Sequence, residues 1–361
     1  MVSGYHKSMK IRKKTYGFDD VLIVPKLSAI ETRSKVDLSV NLAGIQLTVP
    51  VISSNMDTVT EHGMAAAMDR LGGLGIIHRY LSEEQRLEQL SKVTDLKYRA
   101  MAVGITKEEI AFAKKLIAAG ANVLCLDVAH GHSTMMQRAL GELKEFITSQ
   151  PTQKSAPLKG AVLMAGNIAT PEAAVDLVKW GADILKVGIG PGSMCTTRIV
   201  TGAGYGQVTA IADCATAVNA PIIGDGGVRN SGDAVKAYVA GASAIMVGKL
   251  LAGSDEVPTW AREAGAYRGM ASADAQGKHY GYDFKDRHPE GVATQIQKKG
   301  PVADVLGPFL GGVRSGFSYS GAVSFKQLWE NGEFVECAPG VLQESLPHGL
   351  FPEYGKETKR A

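Results

Sequence analysis

The sequence predicts a (β/α)8 barrel, a closed ring of parallel strands covered by helices. Apolar runs, whose last residues include Gly, Asp or Asn, recur at 123–128, 161–167, 184–190, 221–227 and 244–249. Strands that are apolar on both faces are typical of a parallel sheet covered by helices. Amphipathic helical patterns lie between the runs, as at 107–120 and 171–181. An open doubly wound sheet would give a similar alternation and is the alternative fold.

A repeated helix–turn–strand unit favours the barrel. The stretches AVDLVKWGADILKVG (174–188) and AVKAYVAGASAIMVG (234–248) share the frame AV…GA…VG. Such a recurrence is expected when one structural unit is repeated around a barrel. Ahead of the first stretch, Thr170 is placed to cap a helix and Pro171 to occupy its first position.

Two regions lack such a unit. Residues 265–301 are polar, with scattered aromatic residues and little periodicity, which predicts an irregular lid or binding loop. We place this mobile flap at about 271–300. The tail after about residue 325 shows no clear barrel unit either, and we expect residues 1–361 to form a single catalytic domain.

Composition and charge restrict the class of protein. The net charge of +3 is too small to indicate nucleic-acid binding, and no apolar run is long enough to span a membrane. The basic N-terminal residues have no apolar stretch behind them and do not resemble a signal peptide. The cysteines form no CxxC pair, which argues against a disulfide framework or a zinc site. We therefore expect a cytoplasmic protein that binds a small molecule.

The segment GIGPGSMCTTR (188–198) carries the strongest catalytic signal. It follows an apolar strand, so in a barrel it would lie at the carboxyl ends of the strands, where active sites are found. Glycines near Cys195 allow a substrate to approach, and Arg198 would favour the nucleophilic thiolate form. The other cysteines lie in an apolar run, on a helix and in the tail, and we expect them to be structural: Cys125, Cys214 and Cys337.

Two glycine-rich turns at the ends of successive strands predict a phosphate site. They are GDGGVRNSGD (224–233) and VGKLLAG (247–253). Backbone N–H groups of such turns bind anions, and loops after the late strands of many barrels hold a phosphate. Asp225 lies between the glycines and is a candidate for binding ribose hydroxyls, with a capping or turn aspartate as the alternative.

A carboxylate and two histidines follow another strand, at Asp127, His130 and His132. Such residues can ligate a metal ion, but no third set of ligands accompanies them. We expect a contact with substrate or cofactor here instead of a metal.

A series of motifs resembles the IMP dehydrogenase / GMP reductase family. In order they are FDDVLIVP (18–25), NMDTVTE (55–61), LDVAHGHS (126–133), MAGNIAT (164–170), GIGPGSMCTTR, TGAGYGQ (201–207), GDGG (224–227) and YRGM (267–270). The resemblance extends from about residue 12 to residue 325, and the cysteine loop is highly specific. It implies a (β/α)8 barrel, usually a homotetramer. In this family a cysteine bonds to C2 of a purine nucleotide and a nicotinamide cofactor exchanges hydride at that carbon.

The resemblance also implies roles for individual residues. Cys195 matches the nucleophile, and Thr197 and Glu290 match the other catalytic residues. Nucleotide contacts match Asn55, Asp57, Ser193, Asp225, Gly226, Gly227, Gly248, Lys249, Tyr267, Gly269, Met270 and Gly291. Asp127 and Arg79 fall on the cofactor side. A monovalent cation such as K+ would bind the backbone carbonyls of Gly190, Gly192 and Cys195.

The flap favours the reductase reaction of this family, the NADPH-dependent conversion of GMP to IMP and ammonia. Dehydrogenase members use an Arg-Tyr pair on the flap to activate water, and GKHYGYDFKDRHPEG (277–291) contains none. NMDTV is also more typical of reductases. Residues 91–94 run straight into TDLKYRAMAVGI, so we expect none of the paired regulatory CBS modules typical of the dehydrogenases.

Other residues favour the dehydrogenase reaction, in which IMP, NAD and water give XMP. YRGM, the PEG of the flap and ESLPHG (344–349) resemble bacterial dehydrogenases. Arg79 stands where many members have lysine, and a guanidinium is a poor proton donor. Lys249 replaces a small residue of the phosphate cradle. A dehydrogenase would need another base from the flap, such as Tyr282, Arg287 or His288. A third hypothesis is a nucleotide-binding barrel without catalysis, against which the intact cysteine loop argues.

Overall fold

The strands form one closed barrel and three short two-stranded ribbons. The computed structural model describes residues 11–150, 158, 160–282 and 288–347. The strands are β1 (Val21–Ile23), β2 (Val40–Leu42), β3 (Ile45–Leu47), β4 (Val51–Ser53), β5 (Leu74–Ile77), β6 (Ala100–Val103), β7 (Val123–Asp127), β8 (Val162–Ile168), β9 (Ile184–Val187), β10 (Ile222–Asp225), β11 (Ala244–Val247), β12 (Ala266–Arg268), β13 (Ala293–Gln295) and β14 (Phe334–Glu336).

The predicted closed barrel is confirmed. Around the ring the strand order is β10, β11, β4, β5, β6, β7, β8 and β9, and neighbouring strands are parallel. The alternative of an open doubly wound sheet is wrong, because β11 pairs with β4 and closes the ring. All residues of β5, β6, β9 and β11 are buried, which explains why these runs are apolar on both faces.

Helices follow most of the barrel strands. They are α1 (His62–Arg70), α2 (Glu83–Ser91), α3 (Lys107–Ala118), α4 (Thr134–Ser149), α5 (Pro171–Lys179), α6 (Thr197–Thr201), α7 (Gln207–Ala217), α8 (Ser231–Val239), α9 (Thr259–Ala264), α10 (Ala273–Tyr280), α11 (Val302–Tyr319), α12 (Phe325–Asn331) and α13 (Pro339–Glu344). Short 3-10 turns lie at Phe18–Asp20 and Arg33–Lys35. Residues 92–99 alone join α2 to β6.

The repeated sequence unit is a repeated structural unit. Helix α5 leads into β9 and helix α8 leads into β11, as the shared frame predicts. A left-handed glycine turn joins each pair, with φ of 112° at Gly181 and 109° at Gly241. The Thr170 side chain caps α5 by accepting a hydrogen bond from the Ala173 N–H at 3.3 Å, and Pro171 opens the helix.

The flap region is more regular than its sequence predicts. Strands β12 and β13 pair as an antiparallel ribbon, and helix α10 lies between them in the chain. Ser272 caps this helix through the Ala275 N–H, and Gly281 ends it in the left-handed conformation. The prediction of an irregular loop is therefore wrong here. The sequence does not reveal α10 because this short helix buries only Ala275, so its residues show no apolar periodicity. Residues 283–287 lie outside the described residues.

The tail packs beside the barrel without adding a strand to it. Strand β14 pairs with β1 in antiparallel register, from Val21 opposite Glu336 to Ile23 opposite Phe334. Among the described residues after 325, no strand joins the ring, in agreement with the absence of a barrel unit in that sequence.

Gly75 in β5 should not tolerate alanine. A Cβ atom there would lie 2.5 Å from the Ala65 Cα of helix α1, so the helix would have to move. We expect Gly75→Ala to lower the free energy of unfolding by about 1–3 kcal/mol, as measured by urea denaturation. The control is Gly141→Ala within α4, where an added Cβ meets no atom within 4 Å. That change should raise stability by about 0.5–1 kcal/mol. Equal effects of the two substitutions would contradict the packing argument.

Candidate active site

Two adjoining cavities lie at the carboxyl ends of the barrel strands. The phosphate-side cavity, lined by the glycine-rich turns after β10 and β11, has a volume of about 450 Å³. The thiol-side cavity, lined by Cys195 and Asp127 among others, has a volume of about 280 Å³. Residues that line both are Ser54, Met56, Gly192, Ser193, Asp225 and Tyr267. One elongated ligand can therefore extend from the glycine-rich turns to the thiol.

The thiol of Cys195 begins a chain of hydrogen bonds that ends on a carboxylate. Its Sγ atom donates to Thr197 Oγ1 at 3.1 Å. The Thr197 hydroxyl in turn donates to Glu290 Oε2 at 2.7 Å. All three residues line the thiol-side cavity. A proton can therefore pass between the thiol and the carboxylate through a single hydroxyl group.

The returning arm of the flap, residues 290–292, is paired with the cysteine loop. The contacts are a β-bridge between Cys195 and Gly291, a hydrogen bond from Thr196 N to Glu290 O (2.9 Å) and one from Val292 N to Met194 O (3.0 Å). This backbone pairing brings Glu290 to the thiol although the two residues are far apart in the chain. Gly291 acts here through its backbone.

The cysteine loop leaves β9 at a position that requires glycine. Gly188 has φ of +152°, and a Cβ atom there would lie 2.0 Å from the Asp225 carbonyl oxygen. The buried Gln207 joins the same two strand ends, since its Nε2 donates to Val187 O at 2.9 Å and to Asp225 O at 3.2 Å. We did not predict a role for Gln207. The signal available was its place at the end of TGAGYGQ, where an amide opens a helix.

Hydroxyl and backbone groups converge where the two cavities meet. The Ser193 and Tyr267 hydroxyls lie 3.3 Å apart, and burial raises the pKa of Tyr267 to about 12, so its phenol stays neutral. Gly248 packs against this phenol, since a Cβ there would lie 2.9 Å from the Tyr267 oxygen. Lys249 is exposed at the rim of the phosphate-side cavity, which Gly226 and Gly227 also line. These donors and the ammonium group suit a phosphate.

In the lining of the thiol-side cavity, the buried Lys186 binds two carboxylates at once. Its Nζ lies 2.6 Å from Asp127 Oδ1 and 2.7 Å from Asp225 Oδ2. Asn55 donates to Asp127 Oδ2 at 2.8 Å, and Asn167 donates to Asp225 Oδ2 at 2.9 Å. Burial alone would lower the pKa of Lys186, but the two aspartates raise it above its ordinary value. Burial likewise opposes ionisation of Asp127, but Lys186 holds the pKa of that carboxyl below its ordinary value.

We predicted no role for Lys186 or Asn167. A lysine inside an otherwise apolar strand, ILKV, was the available signal, because a buried ammonium group needs carboxylate partners. The identity of those partners depends on strand order, which the local sequence does not contain.

The wall of the thiol-side cavity beyond Cys195 is aromatic and charged. Arg79 donates to the Tyr280 hydroxyl and lies 5.2 Å from the centre of the Tyr80 ring. Burial opposes the charge of Arg79, but Tyr280, Tyr80 and Asp127 hold its pKa above the ordinary value. The Tyr80 ring stacks on His279 of α10, with ring centres 4.5 Å apart. A second flat group placed beside the thiol would therefore contact Tyr80, Arg79 and Asp127.

The predicted nucleotide contacts do not all face the same space. Asn55, Gly269 and Met270 line the thiol-side cavity. Asp57 lies elsewhere: it is buried, pairs with Arg268 at 3.1 Å and lines a separate cavity of about 350 Å³. Its backbone N–H donates to Met270 Sδ at 3.3 Å, so it supports Met270 from behind.

Two of the three remaining cysteines are buried, as the sequence predicts for structural residues, whereas Cys337 is only half-buried. Cys125 and Cys214 are buried, and burial raises the pKa of both thiols, that of Cys214 to about 12. Cys337 follows β14, far along the chain from the cysteine loop. All the cysteines are free thiols.

No metal centre is found in the described part of the chain, where no group of three or more His, Cys, Asp or Glu side chains is arranged around an ion. His132 pairs with Asp176 at 2.8 Å. Gly190 and Gly192, predicted with Cys195 to bind a monovalent cation, line the thiol-side cavity, and Gly192 O accepts the Cys195 N–H at 3.0 Å. None of the helices in residues 11–150, 160–282 and 288–347 is long and apolar enough to cross a bilayer.

Two of the three flap residues proposed as a substitute base lie within the described part of the chain. Tyr282 stacks on Tyr280, with ring centres 4.9 Å apart. His288 is exposed and its Nδ1 lies 3.0 Å from the Pro289 carbonyl oxygen. Arg287 lies outside the described residues.

Comparison with known proteins gives one family. The family model of the IMP dehydrogenase / GMP reductase domain matches residues 15–348. An inosine-5'-monophosphate dehydrogenase from Cryptosporidium parvum is 36% identical over 393 residues, covering 92% of this chain and 94% of the relative. The corresponding enzyme from Borreliella burgdorferi is 36% identical over 410 residues, covering 95% and 98%.

A solved structure extends the comparison. A cysteine-to-alanine variant of GMP reductase from Trypanosoma brucei, in complex with guanosine 5'-monophosphate, superimposes with a TM-score of 0.82 at 28% identity. The match covers 94% of this chain and 99% of that chain.

Fold, site and relatives together define an oxidoreductase that acts on a purine nucleotide with a nicotinamide cofactor. The chain belongs to the IMP dehydrogenase / GMP reductase family.

Proposed function

We propose that this protein converts GMP to IMP and ammonia with NADPH, through a covalent bond between Cys195 and C2 of the purine. The observation that carries this proposal is the hydrogen-bond chain from Cys195 through Thr197 to Glu290. Removal of an amine requires a proton donor at the leaving group, and this chain supplies one beside the thiol. The reaction needs no water-activating base, in keeping with a flap sequence that lacks an Arg-Tyr pair.

The steps follow from these contacts. Sγ of Cys195 bonds to C2, and the thiol proton moves through Thr197 to Glu290. Glu290 returns a proton to the 2-amino group, the C2–N bond breaks, and ammonia leaves. The reduced nicotinamide, when bound, supplies hydride to C2. The C2–S bond then breaks, which releases IMP and restores the thiolate. In sum, GMP, NADPH and two protons give IMP, NADP+ and ammonium.

The nucleotide would extend through both cavities, and the nicotinamide would lie in the thiol-side cavity. The phosphate would lie against the glycine-rich turns with Ser193, Tyr267 and Lys249, and Asp225 at the junction would accept hydrogen bonds from ribose hydroxyls. The purine would then lie over Cys195 next to Met270. The nicotinamide would contact the wall described above, where Tyr80, Arg79 and Asp127 supply an aromatic face and charged groups. A cytoplasmic homotetramer is part of the same proposal, by resemblance to the family.

The decisive assay follows absorbance at 340 nm in two reactions. With GMP and NADPH we expect the absorbance to fall as the cofactor is oxidised, and with IMP, NAD and K+ we expect no rise. A parallel reaction with NADH in place of NADPH tests the choice of cofactor. A rise in the second reaction without a fall in the first would contradict the proposal.

The second candidate is an IMP dehydrogenase without CBS modules. One observation favours it: the curated relatives compared above are dehydrogenases. In that case a group other than an Arg-Tyr dipeptide must activate water, and the IMP reaction of the same assay would reveal the activity.

A further inference from the structure

The ammonium group of Lys186 contacts two carboxylates that line the active-site cavities. Asp225 lines both cavities, whereas Asp127 lines the thiol-side cavity. Each carboxylate has an oxygen within 2.7 Å of Lys186 Nζ, so the two acids face each other across one nitrogen. The ammonium also donates to Asn167 Oδ1. Its three N–H donors are therefore used within the protein, which leaves none for a ligand.

We propose that Lys186 is a positioning residue whose ammonium group holds the Asp127 and Asp225 carboxylates together and fixes the spacing between the nucleotide and cofactor halves of the site. The proposal rests on the proposed function, because it takes Asp225 as the ribose contact and Asp127 as the cofactor contact. Lys186 lines the thiol-side cavity but is only 2% exposed, and its donors are taken by Asp127, Asp225 and Asn167, so we expect it to act through the two carboxylates.

The other groups around the two acids do not replace this charge. Asn55 and Asn167 are neutral amides. The Cys125 thiol beneath them is neutral, because burial raises its pKa. Arg79 is charged and acts on Asp127 from a distance, but within the described residues the ammonium in direct contact with both Asp127 and Asp225 is that of Lys186.

Removing the ammonium group should turn the two acids into a coupled pair. Two carboxylates held this close together and only partly exposed cannot both ionise readily, so the pair would hold one proton near neutral pH. That proton would replace the lysine charge at low pH. As the pH rises the proton is lost, the two negative charges repel each other, and the ribose and cofactor contacts separate. The affinity for both ligands should therefore fall as the pH rises.

The test uses GMP and NADP+, a pair that cannot react in either direction of the family's chemistry. Affinities of the full-length protein for both ligands are measured by calorimetry between about pH 6 and 8.5. Between the lowest and the highest pH, we expect the affinity of Lys186→Met for both ligands to fall by at least about tenfold more than that of wild type. The reason is that a shift of one pKa unit changes a protonation equilibrium by tenfold. Lys186→Arg keeps the cation and should follow the wild-type profile. The matched control is Lys144→Met, which removes a 2.6 Å ion pair with Asp183 on the outside of the barrel and should also follow wild type.

A Lys186→Met profile parallel to that of wild type would overturn the proposal. If Lys186→Met does not fold, the double variant Asp127→Asn/Lys186→Met decides, because it removes the repulsion. It should fold and bind GMP with a wild-type pH profile, and a double variant that stays unfolded overturns the proposal as well. Failure of the proposed function would appear separately, as wild-type protein that does not oxidise NADPH with GMP, since no turnover enters the binding measurement.

Discussion

Cys195→Ala should lower kcat by about 10⁴-fold or more while GMP still binds. The thiol lies in the thiol-side cavity and begins the hydrogen-bond chain to Glu290, so its removal eliminates the covalent route. The proposed phosphate and ribose contacts lie in the neighbouring turns, which the substitution leaves in place. The rate is measured at 340 nm with GMP and NADPH, and binding is measured by calorimetry.

The matched control is Cys337→Ala, which removes a free thiol beyond β14 and should leave the rate within about twofold, as expected for a change away from the site. A 2-halo purine nucleotide should label wild-type protein at Cys195, detected by mass spectrometry of the digested chain, and should not label Cys195→Ala. Normal turnover by Cys195→Ala would show that the chemistry is not covalent at this residue.

Glu290→Gln should reduce kcat by about 10²–10⁴-fold with little change in the KM for GMP. The amide keeps the size of the side chain and can still accept the Thr197 hydroxyl, but it cannot take up and return a proton. Ammonia release therefore slows while nucleotide binding persists. The rate of ammonium formation is measured directly by a coupled assay.

Glu333→Gln is the control for Glu290, because it alters a carboxylate that pairs with Lys26 on the outside of the protein. It should leave the rate of ammonium formation at the wild-type level. If both variants release ammonium at that level, the proton reaches the leaving amine by another route and the assignment of Glu290 is wrong.

The barrel could be predicted because its signals are local. The strands read as continuous apolar runs since both of their faces are buried, and the units ending in β9 and β11 share a sequence frame because they share a structure. The cysteine loop and the glycine-rich turns are each contiguous in sequence, so the position of Cys195 in the loop after β9 could be derived from the segment itself.

The rest of the site depends on contacts between distant parts of the chain. Lys186 meets Asp127 and Asp225 only because β7, β9 and β10 end at the same face of the ring, where β10 is next to β9 and β8 lies between β7 and β9. Gln207 bonds to the backbone of two strands, and the burial of Asp57 against Arg268 cannot be deduced from NMDTV. Glu290 was assigned from the family resemblance and not from its spacing to Cys195.

The pairing between the flap arm and the cysteine loop has a consequence for engineering and for evolution. Because Cys195 lies opposite Gly291 and Glu290 O accepts the N–H of Thr196, the nucleophile segment and the end of the flap form one exchangeable module. Consider a chimera that takes its flap from a relative but keeps the native residues 194–197. Its two paired segments would come from different proteins and would not have evolved together. Crossover points for swapping the two activities of the family should therefore enclose both segments, although they are encoded far apart.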